Sequence, residues 1–349
     1  MSGPIERSQA VAGPVAGSGR RFGVDVGGTK MRTALAGPDG RILAEATEPT
    51  VGDSAAGLVA RIAEALDRLR AEAAAGQGDG PIVAVGVALP GGVDPRTGRL
   101  DSVHNVPGLR DTDHLRADLE AALGMPVAID NDANAAAIAE RAHGVARGFD
   151  DVAVMAIGTG IGLGLIAGGR LIHGARGMAG EIAFLPVGGA RVGSRPTFPD
   201  GSSDAVRTAD AAPGDEVPAY EALVAGPGLR RRIDAAILAG PPTGLRTGAN
   251  LGEVAAAAAA GDVSAVALLE EEARLVALGI AALTALLDPA LVVLSGGVGS
   301  VPGLLEPVRR QVASLVLVPP RIETGALGER GPLVGALELA NVALTVGDG

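Results

Sequence analysis

The stretch PVAIDNDANAAAIAE, residues 126–140, sets two carboxylates and two amides at the end of a short apolar run. Asp130, Asn131, Asp132 and Asn134 fall where the pattern changes from a buried strand to an alanine-rich helix. A helix N-cap needs one short polar side chain, and this turn offers four. A carboxylate at a strand end, near a phosphate cradle, can take the proton from an attacking hydroxyl. An amide beside a carboxylate suits vicinal sugar hydroxyls, since each hydroxyl both donates and accepts. Two readings stay open from these residues alone. One is a base with sugar-gripping amides. The other is an ordinary helix start capped by Asp130 or Asp132, which leaves Asn131 and Asn134 without a structural duty.

Three glycine-rich turns follow apolar runs. In VDVGGTK (24–30), Gly27 and Gly28 let backbone N–H groups approach a ligand, Thr29 adds a hydroxyl and Lys30 a cation. In IGTGIG (157–162), Gly158, Thr159 and Gly160 repeat those roles without the lysine. Such turns can cradle an anion, and each alone is equally an ordinary hairpin. Their recurrence in matching register favours phosphate binding. Neither fits the pattern G-x-x-x-x-G-K-[ST]. The third turn, LVVLSGGVGS (291–300), places Gly296 and Gly297 after a strand, where backbone could approach a flat base or ribose. Glu181 lies among small residues in GMAGEIAF (177–184), and Asn105 lies in a loop after GGVDPRTG. Glu221 opens a helix before the turn AGPG, where a first-turn charge accounts for it equally well.

These groups need a scaffold. Two segments resemble each other, FGVDVGGTKMRTALAGPDGRIL (22–43) and VAVMAIGTGIGLGLIAGGRLI (152–172). Gly28-Thr29 matches Gly158-Thr159 at an offset of 130, and Gly40-Arg41 matches Gly169-Arg170 at 129. Each reads as strand, Gly-Thr turn, strand, Gly-Arg turn, strand, which points to duplication. Helical patterns at 55–75, near 114–123 and at 133–143 alternate with strands at 82–89 and 126–129. The second half repeats this alternation. A long helix at 263–287 leads to a strand at 290–294, a helix near 303–314 and a last helix from about 332. The expected class is α/β, with sheets covered on both faces. Residues 186–218, dense in Pro, Gly, Ser and Asp, read as a long mobile loop.

Composition narrows the function. The chain has 349 residues, enough for two domains or one large duplicated one. It has one Tyr, four Phe and no Trp, so stacking on aromatic rings cannot dominate ligand binding. A net charge of −11 argues against a phosphate-backbone partner such as nucleic acid. With no Cys, neither a disulfide nor a thiolate metal site can form, and the four His are scattered. No stretch is apolar enough for a membrane span. Residues 1–20 lack the order of a signal peptide, and the expectation is a disordered leader on a cytoplasmic protein.

The chain resembles the ROK family of sugar kinases and sugar-responsive repressors. The resemblance covers about 21–346. It is carried by DVGGTK (25–30), LPGGVD (89–94), NVPGL (105–109), NDANAAAIAE (131–140), IGTGIGLGLI (157–166), AGEI (179–182), SGGV (295–298) and GALELA (335–340). It implies an actin-like, hexokinase-like (RNase H-like) duplicated fold of two domains with a cleft between them. The expected division is a small N-terminal domain at 21–130 and a larger one at 131–349, with the last helix free to pack back on the small domain. The implied activity is an ATP-dependent, cytoplasmic, homodimeric kinase acting on the primary, 6-position type hydroxyl of a hexose or hexose-like polyol. Asp132 would be the general base. Asn105, Asn131, Glu181 and Glu221 would contact the sugar. Gly27, Gly28, Thr29 and Lys30 would form one phosphate loop, and Gly158, Thr159 and Gly160 the other. Gly296 and Gly297 would meet the adenosine, and Asp25 would help hold Mg2+ through water.

One departure is as informative. Family members usually write a His three residues after the Glu181 position and then a C-x-C-G-x-x-G-C-x-E run, which together bind a structural zinc. Here that position is Phe184 and there is no Cys, so no zinc site is expected. Phe184 cannot hydrogen-bond the reducing-end side of a hexose. This favours an amino-hexose such as kanosamine, or a seven-carbon cyclitol of the valiolone type, over glucose. A catalytically silent sugar-binding protein is the reading from another class. A repressor is disfavoured, because only about 20 residues precede the first strand.

Overall fold

The structure is a computed structural model, and it describes residues 19–50, 54–74, 80–94, 97–101, 109, 112, 114–186 and 220–346. The elements begin β1 (Arg20–Val26), β2 (Lys30–Ala36), β3 (Ile42–Pro49), α1 (Ala55–Ala74), β4 (Ile82–Leu89), β5 (Gly92–Val93) and β6 (Leu100–Asp101). They continue with α2 (Leu115–Leu123), β7 (Val127–Asn131), α3 (Asp132–His143), β8 (Val152–Ile157), β9 (Ile161–Ala167) and β10 (Arg170–Leu171). After these come α4 (Glu221–Val224), α5 (Gly226–Ala239), α6 (Leu251–Ala259) and α7 (Val263–Leu287). The chain ends with β11 (Leu291–Ser295), α8 (Gly296–Gly299), α9 (Leu305–Leu315), β12 (Arg321–Thr324) and α10 (Gly331–Val346).

Two five-stranded sheets share one plan. Their orders are β3-β2-β1-β4-β7 and β10-β9-β8-β11-β12. In each, a meander of three strands is followed by two parallel additions, β1–β4–β7 and β8–β11–β12. The duplication read from the hairpins is therefore carried by whole sheets.

The chain forms two compact units. The first holds residues 1–147, 164–179 and 330–349, and the second holds 148–163 and 180–329. The division expected after residue 130 is thus displaced to Arg147, because α3 packs within the first unit against α10. There a Cβ on Gly335 would stand 1.9 Å from the Ala135 carbonyl oxygen.

In the first unit the pleat of β1 sorts its residues. Phe22, Val24 and Val26 join Leu58, Ile62, Leu66 and Leu69 of α1 in one apolar layer. Truncating a buried member such as Ile62 to alanine would cost about 2–5 kcal/mol. On the other face α10 lies so close that a Cβ on Gly86 would meet the Ala336 carbonyl oxygen at 1.8 Å. Asp25 shares the Gly23 side of β1.

In the second unit α7 packs with α5, α6 and α9, and β11 is buried along its length. Asp262 caps α7 by accepting the Ala265 N–H at 3.0 Å. No helix among the described residues is long and apolar enough to cross a membrane.

Several expectations need amendment. Arg20, assigned to the leader, is the first residue of β1, where it pairs with Ile82 and donates from Nε to the Gly80 carbonyl at 2.6 Å. Residues 1–18, and all of the expected loop 186–218 except Pro186, lie outside the described residues. AGPG is no turn between elements. Gly226 begins α5, with proline in its first turn, where a missing N–H does no harm. α6 and β12 were not expected at all.

Candidate functional site

The parallel register of the first sheet brings three strand ends level. Asp25 of β1 lies opposite Ala88 of β4, and Ala88 lies opposite Asp130 of β7. One residue on, β7 ends and α3 begins. Ligand sites of open α/β sheets lie at such carboxyl ends of strands.

The polar residues there divide the work. Asn131, in extended conformation, is the N-cap of α3. Its Oδ1 accepts the N–H of Ala133 at 2.9 Å and of Asn134 at 3.2 Å. Its Nδ2 donates to the Gly91 carbonyl at 2.9 Å. Asp130 is buried, and its Oδ1 accepts the Asn131 N–H at 2.7 Å and the Asn134 Nδ2 at 2.8 Å. Its Oδ2 lies 2.7 Å from Nε2 of His173. The cap is therefore an amide and not a carboxylate. Asn131 and Asn134, which had no evident structural duty in the sequence, both have one.

Asp132 is the carboxylate this network leaves over. Its Oδ1 accepts the N–H of Ala133 at 2.7 Å. Burial pushes its pKa up to about 6, against the lowering effect of backbone N–H groups. Asp25 rises to about 7, first through burial and then through the charge of Asp132. Arg32, 3.8 Å away, and Lys30 oppose that rise. Two carboxylates near neutrality at one strand-end cluster suit proton transfer and cation binding.

The turn between β1 and β2 belongs to the same unit. The Gly27 N–H donates to the Lys30 carbonyl at 2.9 Å. Thr50 ties the turn from outside, with its hydroxyl on the Gly27 carbonyl at 2.6 Å and its N–H on the Thr29 carbonyl at 3.0 Å. Gly28, Thr29 and Lys30 are exposed.

In the second unit the Gly158 N–H donates to the Gly160 carbonyl at 2.8 Å, and the Gly226 N–H donates to the Gly158 carbonyl at 2.8 Å. A Cβ on Gly158 would stand 4.0 Å from the Gly297 nitrogen. Gly296 has a φ of +78° and room for no Cβ, since the Ile157 carbonyl oxygen would be 2.5 Å away. Three backbone segments so close together form a cradle that side chains would fill.

Glu221 faces this turn. Its Oε2 accepts the Ile161 N–H at 3.0 Å, and burial raises its pKa. Tyr220, fully buried, precedes it. The Tyr220 hydroxyl bonds the carbonyls of Leu275 and Val276 at 3.1 Å, and its N–H bonds the Ala183 carbonyl at 3.0 Å. Glu181 precedes the 3-10 turn Ile182–Phe184.

The first unit thus gathers Asp25, Gly27, Gly28, Thr29, Lys30, Asn131 and Asp132. The second gathers Gly158, Thr159, Gly160, Glu221, Gly296 and Gly297, and Glu181 belongs to it as well. Asn105 lies outside the described residues. The sequence reading missed Thr50, His173 and Tyr220, which act through contacts distant in sequence and leave no local signal. Among the described residues no three His, Cys, Asp or Glu side chains are grouped to hold a metal.

Relatives of known activity match part of the chain. A glucokinase of Halalkalibacterium halodurans is 37% identical over 172 residues, and a beta-glucoside kinase of Listeria monocytogenes is 33% identical over 165. These matches take in 48% and 46% of this chain, and the chain spans about half the length of each relative, 51%. Solved structures match further. A ROK hexokinase from Thermus thermophilus is 33% identical with a TM-score of 0.70, over 95% of this chain and all of that one. A ROK family glucokinase from Streptomyces griseus, solved with glucose and AMPPNP, is 27% identical with a TM-score of 0.69, over 93% of this chain and 100% of that one. The ROK family pattern itself matches residues 21–343, and the chain, with its duplicated actin-like fold, belongs to the ROK family.

Proposed function

We propose that the protein is a sugar kinase that moves the γ-phosphoryl group of ATP to a primary hydroxyl of a hexose or hexose-like polyol. One observation carries this reading. Asp132 is the carboxylate at the 130–134 turn that, among the described residues, holds no other side chain, and burial keeps its pKa at about 6. A base with a pKa near the working pH can take a hydroxyl proton while the oxygen forms its bond to phosphorus. The kinase activities of the partly matching relatives support the same reading.

Other residues take roles on this basis. Asn131, whose Nδ2 is held by the Gly91 carbonyl, is fixed in orientation beside the base, and it would meet the acceptor together with Asn105, Glu181 and Glu221. Gly27, Gly28, Thr29 and Lys30, with Gly158, Thr159 and Gly160, would hold phosphates, and Gly296 and Gly297 the adenosine. Asp25 would hold Mg2+ through water. Its carboxyl, raised by burial and by the Asp132 charge, is a group that a cation would relieve. When bound, the ion neutralises phosphate charge. A homodimer belongs to the same proposal.

A second reading changes only the acceptor. Phe184, half-buried at the end of the 3-10 turn that follows Glu181, has no polar atom to offer a sugar hydroxyl. A hydroxyl stripped of water without a new partner weakens binding. The far end of the acceptor would then differ from glucose, as in kanosamine or a valiolone-type cyclitol. The test is ATP consumption with glucose, kanosamine, N-acetylglucosamine and such a cyclitol, for wild type and Asp132→Asn. Turnover with any of them, lost by about 10²–10⁴-fold in the variant, is expected. Tenfold preference for glucose refutes the second reading. Sugar binding without turnover makes the protein a silent binder and refutes the first.

A further inference from the structure

The pairing of His173 with Asp130 is not explained by folding alone. A buried carboxylate is costly unless every oxygen is bonded, and a strand-to-helix turn can be built without one, since Asn131 already caps α3. Asp130 is nevertheless buried, and it takes three donors from three places. The Asn131 N–H and the Asn134 Nδ2 fix one oxygen at 2.7 and 2.8 Å. His173 holds the other at 2.7 Å, across 43 residues of sequence. Together they lock the backbone immediately before Asp132 and the first turn of the helix after it.

His173 is itself held. It follows β10, and its carbonyl accepts the Ala179 N–H at 3.0 Å, which closes the loop 173–179. That loop sits close against Val93, where a Cβ on Gly177 would stand 2.1 Å from the Val93 carbonyl oxygen. Asn131 is anchored to the Gly91 carbonyl two residues earlier in the same segment. The turn that presents Asp132 is thus tied twice to the segment 91–93, once through Asn131 and once through Asp130, His173 and the loop that His173 opens. Burial alone would lower the proton affinity of the imidazole. The hydrogen bond and the charge of Asp130 outweigh it, and the pKa of His173 is raised. A charged imidazolium is the form that best balances a buried carboxylate.

We propose that His173 is a positioning residue, which acts through Asp130 to fix the turn carrying the base Asp132. The proposal rests on the reading of Asp132 as the base. In this role His173 acts through its bond to Asp130 and need touch neither acceptor nor nucleotide. Its removal leaves Oδ2 of Asp130 a buried charge without a partner, and the carboxylate then turns away from Asn134 and the Asn131 N–H to find one. A displacement of about 1 Å at a reacting group costs up to about 10²-fold in rate.

The experiment uses the full-length protein, with D-glucose and kanosamine as acceptors. His173→Leu removes the donor at similar volume, and His173→Gln restores an N–H near the position of Nε2. The expected result is a loss of about 10–100-fold in kcat for His173→Leu with KM for ATP within about twofold, and recovery of most of that loss in His173→Gln. Asp130→Asn should lose kcat as well, and the double variant His173→Leu/Asp130→Asn should be no worse than the poorer single one. If His173→Leu fails to fold, Asp130→Asn decides by the same kcat criterion. His173→Leu with more than half the wild-type kcat overturns the proposal, as does His173→Gln no better than His173→Leu. Asp132→Asn, assayed alongside, separates the two claims. An inactive Asp132→Asn with a normal His173→Leu removes only the positioning role, whereas a fully active Asp132→Asn removes both.

Discussion

A Cβ placed on Gly160 would stand 2.7 Å from Oε2 of Glu221, the oxygen that accepts the Ile161 N–H. The last glycine of the Gly158-Thr159-Gly160 turn therefore leaves the space that the carboxylate fills. In Gly160→Ala the end of the flexible Glu221 side chain would swing aside. The fold should survive, with a loss of about 1 kcal/mol for the N–H left without its acceptor. If Glu221 meets the acceptor, KM for the acceptor should rise roughly five- to tenfold, as expected for the loss of a hydrogen bond worth about 1–1.4 kcal/mol. Steady-state kinetics with varied acceptor at saturating ATP reads this, and an unchanged KM removes Glu221 from the acceptor contacts.

The raised pKa values of Asp132 and Asp25 set two pH dependences. A base must be unprotonated, so kcat/KM should climb with pH through about 6 and level off above. Stability runs the other way. A carboxyl whose folded pKa lies above 3.8 binds its proton more tightly in the folded state. Its contribution is complete below 3.8 and is lost as pH rises through about 6 for Asp132 and about 7 for Asp25. Asp132→Asn removes one such group, and Asn can still accept the Ala133 N–H. Its Tm should exceed that of wild type by more at pH 8 than at pH 5. Equal differences at the two pH values contradict a raised pKa.

Tyr220 and Gly279 fit one another. A Cβ on Gly279 would lie 2.3 Å from the Tyr220 hydroxyl oxygen and 2.6 Å from Cζ. Tyr220→Phe loses the bonds to two carbonyls of α7, about 1 kcal/mol. Gly279→Ala forces the ring out of its slot and should lower Tm by more. The double variant should be less destabilised than the sum of the two, because both changes act at one contact. Strict additivity in chemical denaturation would show that the ring and the helix do not meet there.

How much of this was readable in advance depends on the range of the interaction. α7 was read at 263–287, the bounds the structure has, because apolar spacing alone defines a long amphipathic helix. The Gly-Thr turns were legible as a repeated pair, and the two sheets share the matching order. The residues alone narrowed the base only to one of two carboxylates, since sequence cannot say which side chain caps, and it was the family resemblance that singled out Asp132. The cap falls to Asn131 through φ, ψ and a carbonyl forty residues away. His173 read as one of four scattered histidines, and nothing local ties it to Asp130. α6 was missed because LGEVAAAAA is only nine residues long and mostly alanine, too short a run to set a helical spacing apart from its surroundings. Its capping box, Asn250 with Glu253, was the signal that could have found it.

The proposed activity calls for magnesium and not for zinc. The chain has no thiolate, and Phe184 stands where the resemblance expects a histidine ligand. Protein purified without added metal should carry no stoichiometric zinc by elemental analysis. A strong chelator should abolish turnover, and Mg2+ alone should restore it. Turnover that returns only with zinc would reverse this reading of the segment from Phe184 to Glu221.

Tyr220 is the only tyrosine of a chain that has no tryptophan. Apart from four weakly absorbing phenylalanines, the near-ultraviolet spectrum of the molecule therefore arises from one phenol. That phenol is buried one residue before Glu221, with its hydroxyl bonded to helix carbonyls. The native protein is in effect already singly labelled, one residue from the carboxylate that faces the Gly158-Thr159-Gly160 turn. Its emission can follow what occupies that turn without an engineered probe, and absorbance at 280 nm will understate its concentration unless this single chromophore is taken into account.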